Sequence, residues 1–236
     1  MSENPQESAP CLLAFDAAGR SCSAAVLRDG DVLAEAFEPM SRGQAERLVP
    51  MIEEVLAEAG LRHGALNALA VTVGPGAFTG VRIGLAAARG YGLALGIPQI
   101  GVTCFEAVAG ATEEAERHGR RLLVLLDAKR ADLYAQFFDE TLTPSGEPFT
   151  ATPEELAARL AGDGGPPLLL AGDGVEQAFR ALEGLGPRRS KAEGLHASAV
   201  ARAAAAKPWP GKEAGLPGPL YLRPPDVTLP KGAPVA

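Results

Sequence analysis

The chain has 236 residues, 47% of them hydrophobic, with 28 Gly and 20 Pro, and a net charge of −7 at pH 7. Pro and Gly together stay below the roughly 25–30% that marks a disordered chain, and the acidic balance argues against a protein that is itself the main binder of RNA or DNA. No apolar run reaches the about 18 residues that cross a bilayer, and three scattered cysteines suit a reduced, cytoplasmic protein.

The chain is predicted to open with three consecutive antiparallel strands. Residues 1–10 are a polar leader without the cationic and apolar regions of a secretory signal. Strands at 12–15, 23–27 and 32–37 follow, and the Asp-Gly pair at 29–30 is a hairpin signal between the last two. Ser41 and Gln44 have the spacing of a capping box, which predicts a helix whose apolar positions continue to residue 59.

A glycine-rich turn separates a predicted strand at 66–73 from a predicted helix at 79–95. Its sequence, GPGAFTGVRIG, is not a Walker A loop, because Gly-Lys-Ser/Thr is missing, and its GxGxxxG spacing does not fit the dinucleotide fingerprint. A turn that leads into a helix N-terminus can still bind an anion, so phosphate or nucleotide contact is one interpretation and a plain strand-to-helix turn is the other. The candidate contacts are Asp16, Gly74, Gly76, Thr79 and Arg82.

The helix after this turn carries small residues every four positions. Gly80, Gly84, Ala88, Gly92 and Gly96 share one face, flanked by Val81, Leu85 and the stem of Arg89. Each glycine costs a helix interior about 1 kcal/mol relative to alanine, so the stripe needs a reason, and close approach of another backbone is one. The spacing alone leaves open whether that backbone belongs to this chain or to a second subunit.

The second half of the chain repeats the order of the first. A strand at 122–126 ends in Asp127-Ala128, as the strand at 12–15 ends in Asp16-Ala17, and this echo predicts two lobes made by duplication. Further strands are predicted at 99–102, 133–138 and 167–171. Helices are predicted at 103–117, 152–161, 175–183 and 198–206, the first two opening with capping boxes at Thr103 and Thr152. Residues 207–236 are predicted as an irregular, proline-rich segment.

Chemistry-bearing residues are few. His63, His118 and His196 do not have metal-ligand spacing, no GxSxG elbow is present, and Asp16 and Asp127 are each followed by alanine, which donates no side-chain hydrogen bond to a phosphate. A nucleophile, a base and an oxyanion site cannot be assembled from this inventory. The sequence predicts a fold whose active site is vacated.

The segments LLAFDAAGRSCSAAVLRDGDVLAE, SRGQAERLVPMIEEVLAEAG, GPGAFTGVRIG, DAKRADLYAQFF and PLYLR resemble, in order and spacing, the TsaB (YeaZ) family. This resemblance implies an α/β protein with the duplicated actin-like, sugar-kinase and heat-shock-ATPase (ribonuclease-H-like) two-lobe fold with mixed sheets. The expected segments are a leader at 1–10, an N-terminal lobe at 11–107, a C-terminal lobe at 108–206 and a proline-rich segment at 207–236.

The resemblance also implies a function. Family members are non-catalytic activating subunits of the machinery that places threonylcarbamoyl on N6 of adenosine 37 in tRNA. The expected partners are a metal-binding catalytic paralogue, which docks on the first two helices, and a small P-loop ATPase. The chain would contact tRNA only through the complex, form a homodimer when alone, and need no cofactor or metal itself, since ATP or ADP and the metal belong to the partner subunits.

The resemblance therefore assigns the apolar and small residues of the first two helices to the partner interface: Leu48, Met51, Ile52, Val55, Gly80, Val81, Gly84, Leu85, Ala88, Arg89 and Gly92. The chain departs from the family at Ala17, where Thr is usual, at Ala77, where many members have Ser, and at Gln44, which is often His. Two rival functions stay open: an actin-like ATPase or a peptidase acting on the paralogue, and a homodimeric binding protein with an unrelated partner.

Overall fold

The computed structural model describes residues 10–192, 194–211 and 215–223 and contains two five-stranded mixed sheets. The predicted leader lies almost wholly outside the described residues. The strands are β1 (Cys11–Asp16), β2 (Ser21–Arg28), β3 (Asp31–Pro39), β4 (Ala68–Thr72), β5 (Gln99–Val102), β6 (Arg121–Asp127), β7 (Leu133–Phe138), β8 (Phe149–Ala151), β9 (Leu168–Ala171) and β10 (Arg188–Arg189). The helices are α1 (Gln44–Glu58), α2 (Phe78–Leu95), α3 (Cys104–Gly110), α4 (Glu114–Arg117), α5 (Pro153–Leu160), α6 (Val175–Leu182) and α7 (Ala197–Ala205).

The two sheets have the same topology, which confirms the predicted duplication. The first sheet has the order β3-β2-β1-β4-β5 and the second, taken in the same sense, the order β8-β7-β6-β9-β10. In each sheet the first three strands along the chain pair antiparallel and the last two add in parallel. Parallel neighbours need a crossover, which α1 and α2 supply in the first sheet and α5 and α6 in the second. Asp16 and Asp127 therefore occupy equivalent strand ends.

Local sequence signals account for most element boundaries. Thr103 and Thr152 both form the expected capping boxes, with Glu106 and Glu155. The capping box predicted at Ser41 is wrong, because the N-cap residue of α1 is Gly43. Glycine has no side chain that could cap the helix, and here its φ is 92°. The helix predicted across 103–117 is two helices, α3 and α4.

The hydrophobic core does not follow the predicted segment boundaries. Helix α7, placed by the sequence in the C-terminal lobe, packs on β1 and β2 of the first sheet, and α3 packs on both α7 and β6. One continuous cluster of buried residues consequently spans β1, β4, α3, α7 and one face of β6. Cys11, Cys22 and Cys104 are buried free thiols, as the composition suggested.

The proline-rich segment, where described, is irregular as predicted. It returns to the first lobe, where the backbone N–H of Leu220 donates to the carbonyl oxygen of Val73 at 2.7 Å. The Tyr221 ring then lies 5.3 Å from the Phe78 ring, and Arg223 forms an ion pair with Asp132 of the second lobe. Residues 220–223, called the strap below, therefore connect the glycine turn of one lobe with the β6–β7 turn of the other.

Candidate functional site

The strand-end carboxyl group of the first lobe is sealed inside the protein. Asp16 has no solvent-exposed surface, and its Oδ1 accepts hydrogen bonds from the Thr72 hydroxyl at 2.5 Å and the Ala18 backbone N–H at 3.0 Å. Its Oδ2 has no hydrogen-bond partner in the described part of the chain. Burial raises the pKa of Asp16 to about 6, although the two hydrogen bonds act in the opposite direction. The predicted contact between Asp16 and a phosphate is therefore wrong, since no ligand reaches this carboxyl.

The equivalent carboxyl group of the second lobe is held by a local ion pair. Lys129 Nζ lies 2.7 Å from Asp127 Oδ2, and the Lys129 backbone N–H donates to Asp127 Oδ1, also at 2.7 Å. Partial burial raises the pKa of Asp127, but the hydrogen bonds and the positive charge of Lys129 outweigh that effect, so the pKa is lowered overall. The carboxylate is thus ionised and already neutralised by its own loop.

A small cavity lies directly between these two turns, and two larger open cavities, described below, are also lined by residues of both lobes. The volume of the small cavity is about 60 Å³, and Ala18, Pro75, Ala128 and Lys129 are among its lining residues. Small-molecule sites usually measure about 300–1,000 Å³. This cavity by itself is therefore too small to hold a nucleotide.

The glycine turn is packed tightly against the β1–β2 turn. A Cβ atom on Gly76 would lie 2.5 Å from the carbonyl oxygen of Ala18, and the Ala77 backbone N–H donates to that same oxygen at 2.8 Å. Gly74 has a φ of 104° and a cis peptide bond to Pro75, and a Cβ there would lie 2.8 Å from the Leu220 carbonyl oxygen. Close packing therefore accounts for both glycines, and Gly74 is buried away from any ligand.

Thr79 and Arg82 remain exposed at the start of α2. The Arg82 guanidinium lies 3.6 Å from the centre of the Phe78 ring, and its Nε donates to the Tyr221 hydroxyl at 3.2 Å. Helix α2 has no side-chain cap, because its N-cap residue is Ala77. A phosphate contact at Thr79, Arg82 and the exposed Gly76 stays a prediction.

The small-residue stripe of α2 faces its own lobe. A Cβ on Gly80 would lie 2.0 Å from the Ala17 carbonyl oxygen, and one on Gly84 would lie 3.2 Å from the Val71 side chain. A Cβ on Gly92 would meet the Gln99 amide at 2.2 Å. The stripe thus brings α2 close to the sheet, and the intrachain alternative is the correct one.

This orientation corrects the predicted interface residues. All of them except Arg89 are buried in the isolated chain, so they form the core of the first lobe and cannot also be its docking surface. The buried members are Leu48, Met51, Ile52, Val55, Gly80, Val81, Gly84, Leu85, Ala88 and Gly92. Gln44 is half-buried, and its side-chain amide donates to the Met40 carbonyl oxygen at 3.4 Å.

A second stripe of small residues, which the sequence reasoning missed, covers the outer face of α2. Ala86, Gly90 and Ala94 recur every four positions and are exposed, and no atom lies within 4 Å of a Cβ built on Gly90. Beside them Leu93 is 87% exposed, and Val49 of the neighbouring α1 is also exposed. The sequence does contain a signal for this second stripe, because Ala86, Gly90 and Ala94 form a four-residue repeat that is offset by two positions from the glycine stripe.

Helices α1 and α2 form one continuous surface. The Tyr91 hydroxyl of α2 donates to Glu53 Oε1 of α1 at 3.0 Å, and the same carboxylate contacts His63 Nε2 at 2.9 Å. Burial, followed by the negative charge and hydrogen bond of Glu53, raises the pKa of Tyr91 to about 12, so the phenol stays a donor. Any partner that contacts α2 therefore meets a fixed helix pair.

Two open cavities lie beside the N-terminal end of α2. One, of about 640 Å³, lies towards the loop before α1, and the other, of about 610 Å³, lies towards the strap at 220–223. No group of three or more His, Cys, Asp or Glu side chains in the described residues is arranged to hold a metal ion. Among those residues, no helix combines the length and the apolar character that crossing a membrane requires.

Comparisons with known proteins agree on one family. Residues 37–200 match the family model described as TsaD, tRNA N6-adenosine threonylcarbamoyltransferase. The chain is 36% identical to an uncharacterized protein of Mycobacterium tuberculosis over 92% of its own length and 93% of that protein. It is 39% identical to the tRNA threonylcarbamoyladenosine biosynthesis protein TsaB of Escherichia coli, over 52% of each chain.

Solved structures support the same assignment. YeaZ from Pseudomonas aeruginosa superposes with a TM-score of 0.71 at 28% identity, covering 90% of this chain and 99% of that one. Component A of the (R)-2-hydroxyglutaryl-CoA dehydratase of Acidaminococcus fermentans gives a TM-score of 0.50 at 13% identity, covering 83% of this chain and 96% of that one, a likeness of fold alone. The neighbours confirm the predicted actin-like, two-lobe fold class.

Proposed function

The chain belongs to the TsaB/YeaZ family, and from that premise we propose that it is a non-catalytic subunit in the biosynthesis of tRNA threonylcarbamoyladenosine. In this proposal it docks on a catalytic, metal-binding paralogue through the outer faces of α1 and α2. A small P-loop ATPase completes the assembly, and the metal and ATP or ADP are bound by the partner subunits. The same face joins two copies of this chain when the paralogue is absent.

The non-catalytic role is supported by the state of the interlobe cleft. In an actin-like ATPase the nucleotide lies between the two strand-end turns, whereas here Asp16 is buried, Asp127 is paired with Lys129 and the cavity between them measures about 60 Å³. Neither carboxylate is placed to activate water or to hold a metal–phosphate group. The buried state of Asp16 and the pairing of Asp127 thus support a role without ATP hydrolysis.

One observation carries the docking proposal: apart from Arg82 and Arg89, the exposed face of α2 carries small or apolar residues, as its buried face does. A helix on a protein surface needs apolar residues only on the face that packs on the core. A helix that is apolar on its other face as well is normally buried on both sides. The inner stripe already packs on the sheet, yet Ala86, Gly90, Leu93 and Ala94 remain in solvent. Small residues around Gly90 allow a partner helix to approach closely, and burial of Leu93 supplies about 1.5–3 kcal/mol.

A pair of leucine substitutions tests the docking face. Gly90→Leu fills the space that a partner helix would occupy, and Ala158→Leu adds the same bulk to an exposed position of α5 in the second lobe. We expect co-purification with the catalytic paralogue to be lost only in Gly90→Leu, while circular dichroism shows both variants folded. Retention of the complex by a folded Gly90→Leu protein would contradict this docking mode.

The rival functions have separate readouts. Sustained ATP hydrolysis or cleavage of the paralogue by the purified chain, abolished by Asp16→Ala, would support an enzyme acting in its own right. A pull-down from cells that retrieves a homodimer with no tRNA-modification subunit would support an unrelated binding protein.

A further inference from the structure

Basic side chains are concentrated around the N-terminal end of α2, although the whole chain has a net charge of −7. The two open cavities of about 640 and 610 Å³ share Ala77, Phe78 and Lys129, so they lie side by side. Glu46 is the one acidic residue among the described residues that line them. The basic residues that line them are Arg20, Arg42, Arg82, Lys129, Arg130 and Arg223.

Three of these arginines form no ion pair within the described part of the chain, although the positive charge of Arg20 also helps to lower the pKa of Asp127. Lys129 pairs with Asp127 and Arg223 with Asp132, but Arg20, Arg42 and Arg82 have no carboxylate within 4 Å among the described residues. A concave surface lined by one sign of charge raises the local concentration of ligands of the opposite sign. The surface therefore fits a ligand that carries several negative charges.

Aromatic rings stand beside these charges. Phe78 is 39% exposed and Tyr221 is 40% exposed, and their rings are 5.3 Å apart and inclined by 31°. Arg82 is held over the Phe78 ring, and its two terminal nitrogens make no hydrogen bond to another described residue. Exposed aromatic rings beside arginines are the groups on which proteins stack unpaired bases and hold the adjoining phosphates.

We propose that this surface, named here the basic rim and consisting of Arg20, Arg42, Arg82, Phe78 and Tyr221, is a contact for the single-stranded loop of an RNA. The charges are spread over two open cavities, which suits an extended phosphodiester backbone better than one enclosed nucleotide. Because the inference rests on the proposed function, the RNA is the tRNA substrate of the complex. The rim supplements the main RNA-binding surface, which an acidic chain does not provide.

The location of the rim agrees with that role. Arg82 is one helical turn from Ala86, the first member of the exposed stripe on α2. The rim therefore borders the proposed docking face, so RNA held by a paralogue on α1 and α2 would reach it without leaving the complex.

Neutralising the rim tests the inference. The complex of the full chain with its catalytic paralogue is titrated with a fluorescent hairpin RNA that has the anticodon stem and loop of an adenosine-37 tRNA. The triple variant Arg20→Gln, Arg42→Gln, Arg82→Gln is compared with Arg159→Gln, Arg180→Gln, Arg188→Gln, which removes the same charge from exposed positions of the second lobe. We expect the rim variant to bind about tenfold more weakly or worse, and its slope of log affinity against log salt to fall by about 2.

The outcomes separate this inference from the proposed function. Equal affinities and slopes for the two triple variants would overturn the rim, whether or not the complex forms. Loss of poly-glutamate binding in the rim variant together with unchanged RNA binding would overturn the RNA assignment and identify a surface for acidic protein. Failure of the wild-type chain to bind the paralogue would overturn the proposed function instead. If one of the triple variants does not bind the paralogue, the two isolated full-length variants are titrated with the same hairpin RNA at low salt, and their affinities are compared in the same way.

Discussion

The two small-residue stripes of α2 predict opposite responses to the same substitution. Gly→Ala in a helix interior normally stabilises by about 0.5–1 kcal/mol, because alanine loses less backbone entropy on folding. At Gly90 the added methyl group meets no atom within 4 Å, so the full gain is expected. At Gly80 the same methyl group would lie 2.0 Å from the Ala17 carbonyl oxygen and 3.0 Å from its carbonyl carbon.

The contact at Gly80 involves the backbone of the β1–β2 turn, which cannot rotate away as a side chain would. Forcing extra volume into a packed site costs about 1–3 kcal/mol, which exceeds the gain in helix propensity. Gly80→Ala is therefore expected to lower the free energy of unfolding by about 1–2 kcal/mol and Gly90→Ala to raise it by about 0.5–1 kcal/mol.

Urea denaturation followed by circular dichroism measures both values on matched samples. For a chain of this size each 1 kcal/mol also shifts Tm by about 2–4 °C, so thermal scans give a second reading. A Gly80→Ala protein as stable as Gly90→Ala would refute the assignment of the inner stripe to intrachain packing.

Three further predictions follow from the contacts of single residues. Because burial raises the pKa of Asp16 to about 6 from 3.8, the native state binds its proton more tightly than the unfolded state, and the charged form destabilises the fold as pH rises through this range. The stability of Asp16→Asn relative to wild type should therefore grow by about 2.4 kcal/mol between pH 4 and pH 7 in urea titrations, and a constant difference would contradict the burial of this charge. Thr103→Ala should cost about 1 kcal/mol in the same assay while Ser41→Ala is neutral, since Thr103 caps a helix and Ser41 does not; equal effects would refute that distinction. Tyr221→Ala should cost about 0.5–1.5 kcal/mol by removing the ring contact with Phe78, and an unchanged unfolding midpoint would show that the strap contributes no stability.

Sequence signals that act over a few residues predicted the fold well. The Asp29-Gly30 pair does form the hairpin turn, with φ values of 55° and 83°, and Thr103 and Thr152 begin helices. These features depend on neighbouring residues alone, so the sequence contains all the information that determines them. The repeat of a strand ending in Asp-Ala likewise predicted two lobes of equal topology.

Features that depend on distant contacts could not be predicted. The spacing of Gly80 and Gly84 defines a helix face but not what covers it, because a sheet and a partner helix both require small residues. Packing of α7 on β1 and β2 and of Tyr221 on Phe78 joins segments more than 130 residues apart. The burial of Asp16 also depends on a distant contact, since Thr72, which donates to its carboxyl group, lies on β4, 56 residues further along the chain.

The most direct test of the proposed function is mass spectrometry of tRNA nucleosides from cells depleted of this protein. Depletion should remove threonylcarbamoyladenosine, and wild type or the Ala158→Leu protein should restore it, whereas a folded Gly90→Leu protein should not. Undiminished threonylcarbamoyladenosine after depletion would contradict a role for the chain in this modification. Full restoration by Gly90→Leu would contradict action through the outer face of α2.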